Sequence, residues 1–123
     1  MLDFIKTQDF TVLMIYAEGC SYCEQMKPIF EQLELEFPLL SYHKEDISKI
    51  TPFYERYADQ KEMTLEDGTI VMVPKYIIPN FYIFARELQD ETDEYGFAGG
   101  FDGANPEELR AVLNALQQKV LEG

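Results

Sequence analysis

The sequence predicts an α/β protein in which a central mixed β-sheet is flanked by helices. Residues 11–16 form an uninterrupted run of β-branched, apolar and aromatic side chains, as expected for a strand buried on both faces of a sheet. After this run, apolar residues recur at alternating spacings of three and four, which is typical of one face of a helix. Strand and helix patterns then continue along the chain, and their order favours a mixed sheet covered on both faces.

Length and composition predict one domain spanning residues 1–123. Hydrophobic residues make up 46% of the chain and aromatic residues 14%, which is enough for a core and unlike a disordered sequence. The longest apolar run, residues 12–17, is far shorter than the roughly 20 residues that cross a bilayer. The amino terminus has no basic segment followed by an apolar one. We therefore expect a cytoplasmic protein that does not enter membranes.

The charge balance is strongly acidic. Ten basic residues against 23 acidic ones leave a formal charge of −13. Such a surface repels phosphate backbones and anionic lipid headgroups, so the sequence predicts neither a nucleic-acid nor a membrane partner. Solubility is the simplest reason for the charge, and a basic partner protein is the alternative.

The first half of the chain contains the clearest helix pattern. Its apolar stripe consists of Cys23, Met26, Phe30, Leu33 and Phe37. The pattern predicts a helix that carries Pro28 inside it and ends near Pro38. A weaker strand is predicted at residues 39–44, a helix at residues 51–59 with proline in its first turn, and a short leading helix at residues 2–6.

The second half contains strand patterns and a closing helix. Asp67-Gly68 lies between two apolar runs and predicts a tight hairpin. Residues 80–84 and 96–101 are predicted to pair as antiparallel strands. A last helix is predicted over residues 106–121, with Asn105 as its N-cap.

Only two cysteines occur, Cys20 and Cys23, and two residues separate them. A disulfide that closes so small a loop contributes little to stability, so a structural crosslink explains the pair poorly. A structural zinc site needs four ligands, and His43 is the only histidine, so no metal is expected. In an intracellular setting, redox chemistry is the remaining interpretation of this spacing.

The position of the pair predicts different roles for the two sulfurs. A helix amino terminus presents unpaired N–H groups and a positive dipole end, which favour a thiolate at Cys20. Cys23 lies three residues later on the same helix face, so it is predicted to be the resolving thiol and Cys20 the nucleophile. Glu18 and Glu24 flank the pair and oppose the dipole, or else form only a solvated rim.

The segment Tyr-Ala-Glu-Gly-Cys-Ser-Tyr-Cys at residues 16–23, followed by Pro28, resembles the active-site segment of thioredoxins. The resemblance implies the thioredoxin fold, and it implies that a cis-proline beside the disulfide opens a strand and exposes the preceding backbone to substrate. Pro79, preceded by Ile78, is the candidate for that proline, and Pro74 is the second choice. Tyr22 is predicted to contact substrate, because amphipathic aromatic side chains suit exposed interfaces.

The sequence also departs from the thioredoxin pattern. It has no tryptophan, and Gly-Cys-Ser-Tyr-Cys replaces the usual Trp-Cys-Gly-Pro-Cys. Met14 occupies the place of the family's buried aspartate. The hairpin around Asp67-Gly68 is an apparent insertion before the cis-proline.

A weaker similarity points to glutaredoxins. Tyrosine before the second cysteine is common in that family, and Gly99-Gly100-Phe101-Asp102 resembles its glutathione-holding turn. The similarity implies glutathione contacts at Gly99, Gly100 and Asp102. A glycine pair beside a strand also fits a simple bulge or bend.

These features predict a protein-disulfide oxidoreductase that takes part in redox homeostasis and electron transport in the cytoplasm. Its expected partners are protein disulfides and an upstream thiol reductant, and it is expected to be a monomer. No cofactor is expected beyond the Cys20–Cys23 disulfide itself. Two alternatives stay open: a glutathione-dependent enzyme, and a binding module that docks a partner on Tyr22, Ile77 and Ile78.

Overall fold

The computed structural model describes residues 2–103 and 106–123. The described strands are β1 (Phe10–Tyr16), β2 (Ser41–Asp46), β3 (Gln60–Thr64), β4 (Ile70–Pro74), β5 (Asn80–Ala85) and β6 (Phe97–Asp102). The described α-helices are α1 (Ser21–Glu36), α2 (Thr51–Tyr57) and α3 (Pro106–Glu122). Within these residues, no helix is both long and apolar enough to span a bilayer.

The central sheet has the strand order β2-β1-β5-β6. Strand β1 runs parallel to β2 and antiparallel to β5, and β5 runs antiparallel to β6. The predicted mixed sheet is therefore confirmed. Its register places Asn80 between Ile15 on one side and Asp102 on the other.

Each face of the sheet has its own hydrophobic core, because side chains alternate along β1 and β5. Val12 and Met14 pack with α1 and α3 on one face. Leu13 and Ile15 pack on the other face with α2, whose buried residue is Tyr54. Every residue of β1 from Phe10 to Ile15 is buried, as its unbroken apolar pattern predicts.

Strands β3 and β4 form a separate two-stranded sheet, which confirms the predicted hairpin insertion before the cis-proline. Gly68 has φ +87°, and the Asp67 carboxylate accepts a hydrogen bond from the Thr69 N–H at 2.9 Å. Every residue of β3 is exposed. The hairpin's apolar side chains consequently remain largely in solvent, with Ile70 and Met72 the most exposed of them.

The other differences from the predictions lie at element ends. The short leading helix predicted at residues 2–6 is a 3₁₀-helix over residues 3–7, since burying Leu2 and Ile5 needs only the i, i+3 spacing of that tighter turn. Strand β2 begins and ends two residues later than predicted, because pairing with β1 sets its length. The predicted Asn105 cap lies outside the described residues.

Candidate active site

The cysteine pair lies where β1 turns into α1. Gly19 adopts φ +77°, a conformation that side chains disfavour, and this turn places Cys20 at the N-cap of the helix. The Cys20 Sγ atom accepts a hydrogen bond from the Cys23 N–H at 3.1 Å. The two residues form a disulfide with a Cα–Cα distance of 5.2 Å. The predicted placement of the pair at a helix amino terminus is therefore confirmed.

The two cysteines differ in exposure. Cys23 is completely buried, with 0% of its surface exposed, whereas Cys20 is half-buried at the rim. A reagent approaching from solvent therefore meets the Cys20 sulfur first. This order agrees with the predicted roles of nucleophile and resolving thiol, which themselves stay predictions.

A lysine that the sequence reasoning missed lies on α1 next to Glu24 and Tyr16. Lys27 donates a hydrogen bond to Glu24 at 2.9 Å, and its ammonium lies 4.7 Å from the centre of the Tyr16 ring. The Glu24 hydrogen bond raises the pKa of Lys27 above its usual value. The i, i+3 spacing of the two residues was the available signal. Glu24 is consequently part of an ion pair rather than an uncompensated charge near Cys20.

No carboxylate occupies the family's buried acidic position. Met14 fills it with no exposed surface and packs in the same core cluster as Met26 and Phe30. A thioether neither accepts nor supplies a proton at neutral pH. Met14 therefore offers Cys23 no proton acceptor.

The peptide bond between Ile78 and Pro79 is cis, which confirms the first choice over Pro74. Pro79 is buried, and its carbonyl accepts a hydrogen bond from the Gly103 N–H at 3.0 Å. A Cβ atom at Gly103 would lie 2.5 Å from Pro79 Cγ, so only glycine fits at this contact. The resemblance to thioredoxins also implies a glycine turn at Gly103-Ala104 before the last helix, and Ala104 lies outside the described residues.

A shallow groove brings the predicted substrate contacts together. Tyr22, Ile78 and Pro79 line a cavity of about 400 Å³, along with Tyr76, Ile77 and Asp102. Tyr22 is 43% exposed. Sequence reasoning missed Tyr76, which stacks on Tyr54 at a ring distance of 5.7 Å, and no spacing signal marked it.

The predicted glutathione residues lie in a strand rather than in a turn. Gly99 pairs with Ile83 and Gly100 with Tyr82 inside β6, so the strand prediction for this segment is confirmed and the turn geometry is wrong. The register irregularity between Ile83 and Phe84 is the bulge that a glycine pair also predicts. Glutathione contact by Gly99, Gly100 and Asp102 stays a prediction.

Fold and site together define a class: a thioredoxin-fold protein with a Cys-x-x-Cys disulfide at the start of its first α-helix and a cis-proline opening a central strand. The chain has the thioredoxin fold, and comparisons with solved structures agree.

Solved thioredoxins share the fold over nearly the whole chain. Oxidised thioredoxin from Plasmodium falciparum matches with a TM-score of 0.64 and 16% identity, covering 94% of this chain and 88% of that one. Oxidised mitochondrial thioredoxin 3 from Saccharomyces cerevisiae matches with a TM-score of 0.63 and 20% identity, covering 92% and 84%. Thioredoxin from Trypanosoma brucei brucei matches with a TM-score of 0.62 and 23% identity, covering 94% and 81%.

Sequence similarity is confined to part of the chain. The protein "Putative thioredoxin-4" of Dictyostelium discoideum is 35% identical over 49 residues, which are 40% of this chain and 47% of that protein. The match therefore spans about half the length of this curated relative. No protein-family model matches the sequence.

Proposed function

We propose that the protein is a thiol–disulfide oxidoreductase that acts on protein disulfides. The observation that carries the proposal is the position of the Cys20 sulfur at the N-cap of α1. There it accepts a hydrogen bond from the Cys23 N–H. The same helix terminus stabilises a thiolate after reduction, because its N–H groups and dipole favour negative charge.

The reaction is a pair of exchange steps. In the reduced protein, the Cys20 thiolate attacks one sulfur of a substrate disulfide, forms a mixed disulfide, and releases the other substrate sulfur as a thiolate that takes up a proton. Cys23 then loses its proton and attacks the Cys20 sulfur. The Cys20–Cys23 disulfide forms and the second substrate thiol leaves, so the substrate gains two electrons and the protein loses two.

Turnover requires the Cys20–Cys23 disulfide to be reduced again. We assign this step to an upstream dithiol reductant, and the cysteine pair is the only redox group that the cycle needs. The groove of Tyr22, Ile78 and Pro79 favours polypeptide substrates, and its Tyr22 follows the half-buried Cys20 by two residues. The strongly acidic charge supports action as a monomer. Thiol–disulfide exchange of this kind supports a place in the cytoplasm, in redox homeostasis and electron transport.

The test is reduction of insulin disulfides with dithiothreitol as the reductant. The wild-type protein is expected to accelerate the reaction, and Cys20→Ser to show only the background rate because it lacks the nucleophile. Cys23→Ser is expected to accumulate mixed disulfides that dithiothreitol releases. Equal background rates for wild type and Cys20→Ser would refute the proposal. A glutathione arm in place of dithiothreitol tests the contacts predicted at Gly99, Gly100 and Asp102.

A further inference from the structure

The segment that joins the β3–β4 hairpin to the cis-proline has no strand partner of its own. It covers residues 75–79, between the end of β4 and the start of β5. The hairpin forms a separate sheet, so it does not connect the segment to the central sheet through strand pairing. Four residues of this segment nevertheless line the proposed substrate groove: Tyr76, Ile77, Ile78 and Pro79. Other contacts must therefore fix the position of this groove wall.

A buried tyrosine hydroxyl from α2 binds the backbone of this wall. Tyr54 is only 1% exposed. Its hydroxyl donates a hydrogen bond to the Lys75 carbonyl at 2.9 Å and accepts one from the Ile77 N–H at 2.9 Å. The Lys75 N–H in turn donates to the carbonyl of Asp59, just after α2, at 2.7 Å. Because a hydroxyl carries one donor hydrogen, Tyr54 uses its donor and an acceptor site on the same short stretch of chain.

Tyr54 is itself attached to the central sheet. Its ring stacks with that of Tyr82 in β5, at a centroid distance of 5.5 Å and an interplanar angle of 6°. The Tyr82 hydroxyl also donates a hydrogen bond to the Tyr54 carbonyl at 2.9 Å. Strand β5 pairs with β1, which leads into the turn before Cys20. Tyr54 therefore links the groove wall to the same strands that position the reactive cysteine.

The exposed ring of Tyr76 is held by the same turn of α2. It stacks with Tyr54 at a centroid distance of 5.7 Å and an interplanar angle of 19°. Its hydroxyl donates a hydrogen bond to the carboxylate of Glu55, the residue after Tyr54. A 55% exposed aromatic side chain is thus fixed at both its face and its hydroxyl. Backbone and side chain of the wall consequently both depend on this turn.

We propose that Tyr54 is a positioning residue that makes the protein favour polypeptide disulfides over small disulfides. The inference rests on the proposed function for its substrate. A polypeptide contacts the groove wall as well as the Cys20 sulfur, and it binds more tightly when the wall is already fixed, because ordering the wall is then no cost of binding. A small disulfide needs only the Cys20 sulfur. The Tyr54 hydroxyl therefore acts on substrate binding through residues 75–77 and leaves the exchange chemistry unchanged.

The anchor is tested first without redox chemistry, in the oxidised protein. Tyr54→Phe removes the hydroxyl and keeps the ring and its stacking. Amide hydrogen exchange is followed by NMR and expressed relative to the buried amides of β1, which corrects for any change in overall stability. The Ile77 N–H is expected to be protected in the wild type and to exchange about fivefold faster in Tyr54→Phe, as for the loss of one hydrogen bond.

Substrate selection is tested by kinetics with two disulfides, insulin and hydroxyethyl disulfide. For insulin, Tyr54→Phe is expected to raise KM about fivefold with kcat unchanged, which is the signature of lost binding rather than lost chemistry. The rate constant for hydroxyethyl disulfide is expected to stay at the wild-type value. Tyr57→Phe is the matched control, because it removes a hydroxyl from the same helix that donates instead to Asp93 at 2.6 Å. It is expected to leave both substrates and the Ile77 exchange unchanged.

Several results would overturn the positioning role while leaving the oxidoreductase function standing. These are an unchanged KM for insulin in Tyr54→Phe, an equal loss with both disulfides, or the same change in Tyr57→Phe. If Tyr54→Phe fails to fold, the wild-type exchange decides: an Ile77 N–H that exchanges as fast as in an unfolded peptide refutes the anchor. Failure of the wild type to reduce either disulfide would refute the oxidoreductase function, and the exchange rates would still decide whether Tyr54 fixes the wall.

Discussion

At the scale of single residues, the charge of Lys27 acts on the chemistry proposed at Cys20. Lys27 lies seven residues after Cys20. This spacing places the two residues on the same helix face, about 10 Å apart along the helix axis. It also pairs with Glu24, which otherwise adds negative charge near the helix amino terminus. The interaction free energy of two unit charges about 10 Å apart in water is about 0.4 kcal/mol, which corresponds to a pKa shift of about 0.3 unit.

We therefore expect Lys27→Gln to raise the pKa of the Cys20 thiol in the reduced protein by about 0.3 unit at low ionic strength. The titration is followed by thiolate absorbance in the ultraviolet. Lys44→Gln is the matched control, because Lys44 pairs with Glu31 farther along α1. An unchanged Cys20 titration in Lys27→Gln, or an equal change in Lys44→Gln, would contradict this role.

At the scale of elements, the loop between β5 and β6 depends on one carboxylate. Asp93 accepts hydrogen bonds from the Tyr57 hydroxyl at 2.6 Å and from the backbone N–H groups of Phe97 and Tyr95 at 2.8 and 3.1 Å. Partial burial raises the pKa of Asp93, but the hydrogen bonds outweigh it, and the net pKa lies below the usual value. The carboxylate thereby ties the loop to α2 and to the start of β6.

A lowered carboxyl pKa gives stability that is present above the unfolded-state pKa of about 3.9 and is lost as pH falls through the lower folded-state pKa. We expect Asp93→Asn to reduce the free energy of unfolding at pH 7 by about 1 kcal/mol, and the difference from wild type to shrink toward pH 3. Urea denaturation at both pH values measures it. Asp67→Asn, in the exposed hairpin, is the control, and an equal loss there would contradict the assignment.

The elements also show which kinds of information the sequence contains. Local patterns predict β1, α1 and α3, because each has a continuous apolar run or stripe that matches the period of its structure. The ends of β2 depend on pairing with β1, which is not encoded in its own residues. Likewise, the cysteine pair and Pro79 are visible as motifs, whereas the groove that joins Tyr76 to Tyr22 and Pro79 arises only from long-range packing and could not be predicted.

At the scale of the whole molecule, two electrostatic effects of opposite sign compete. Added salt weakens ion pairs, but those described here have at least one substantially exposed partner, and such pairs contribute only about 0–1 kcal/mol each. Salt also screens the repulsion among the charges that leave the chain at −13, and this repulsion acts over the entire compact state. We infer that screening of the net charge is the larger effect.

The free energy of unfolding is therefore expected to rise by about 1 kcal/mol between 10 and 300 mM sodium chloride at pH 7, as the screening length falls from about 30 Å to less than 8 Å. Urea denaturation at each salt concentration measures the change. Repeating the series at pH 4.3, the isoelectric point of the sequence, provides the control, because the net charge and its repulsion vanish there. A rise of equal size at both pH values would assign the effect to salt acting on apolar surface, and a fall at pH 7 would show that the ion pairs dominate.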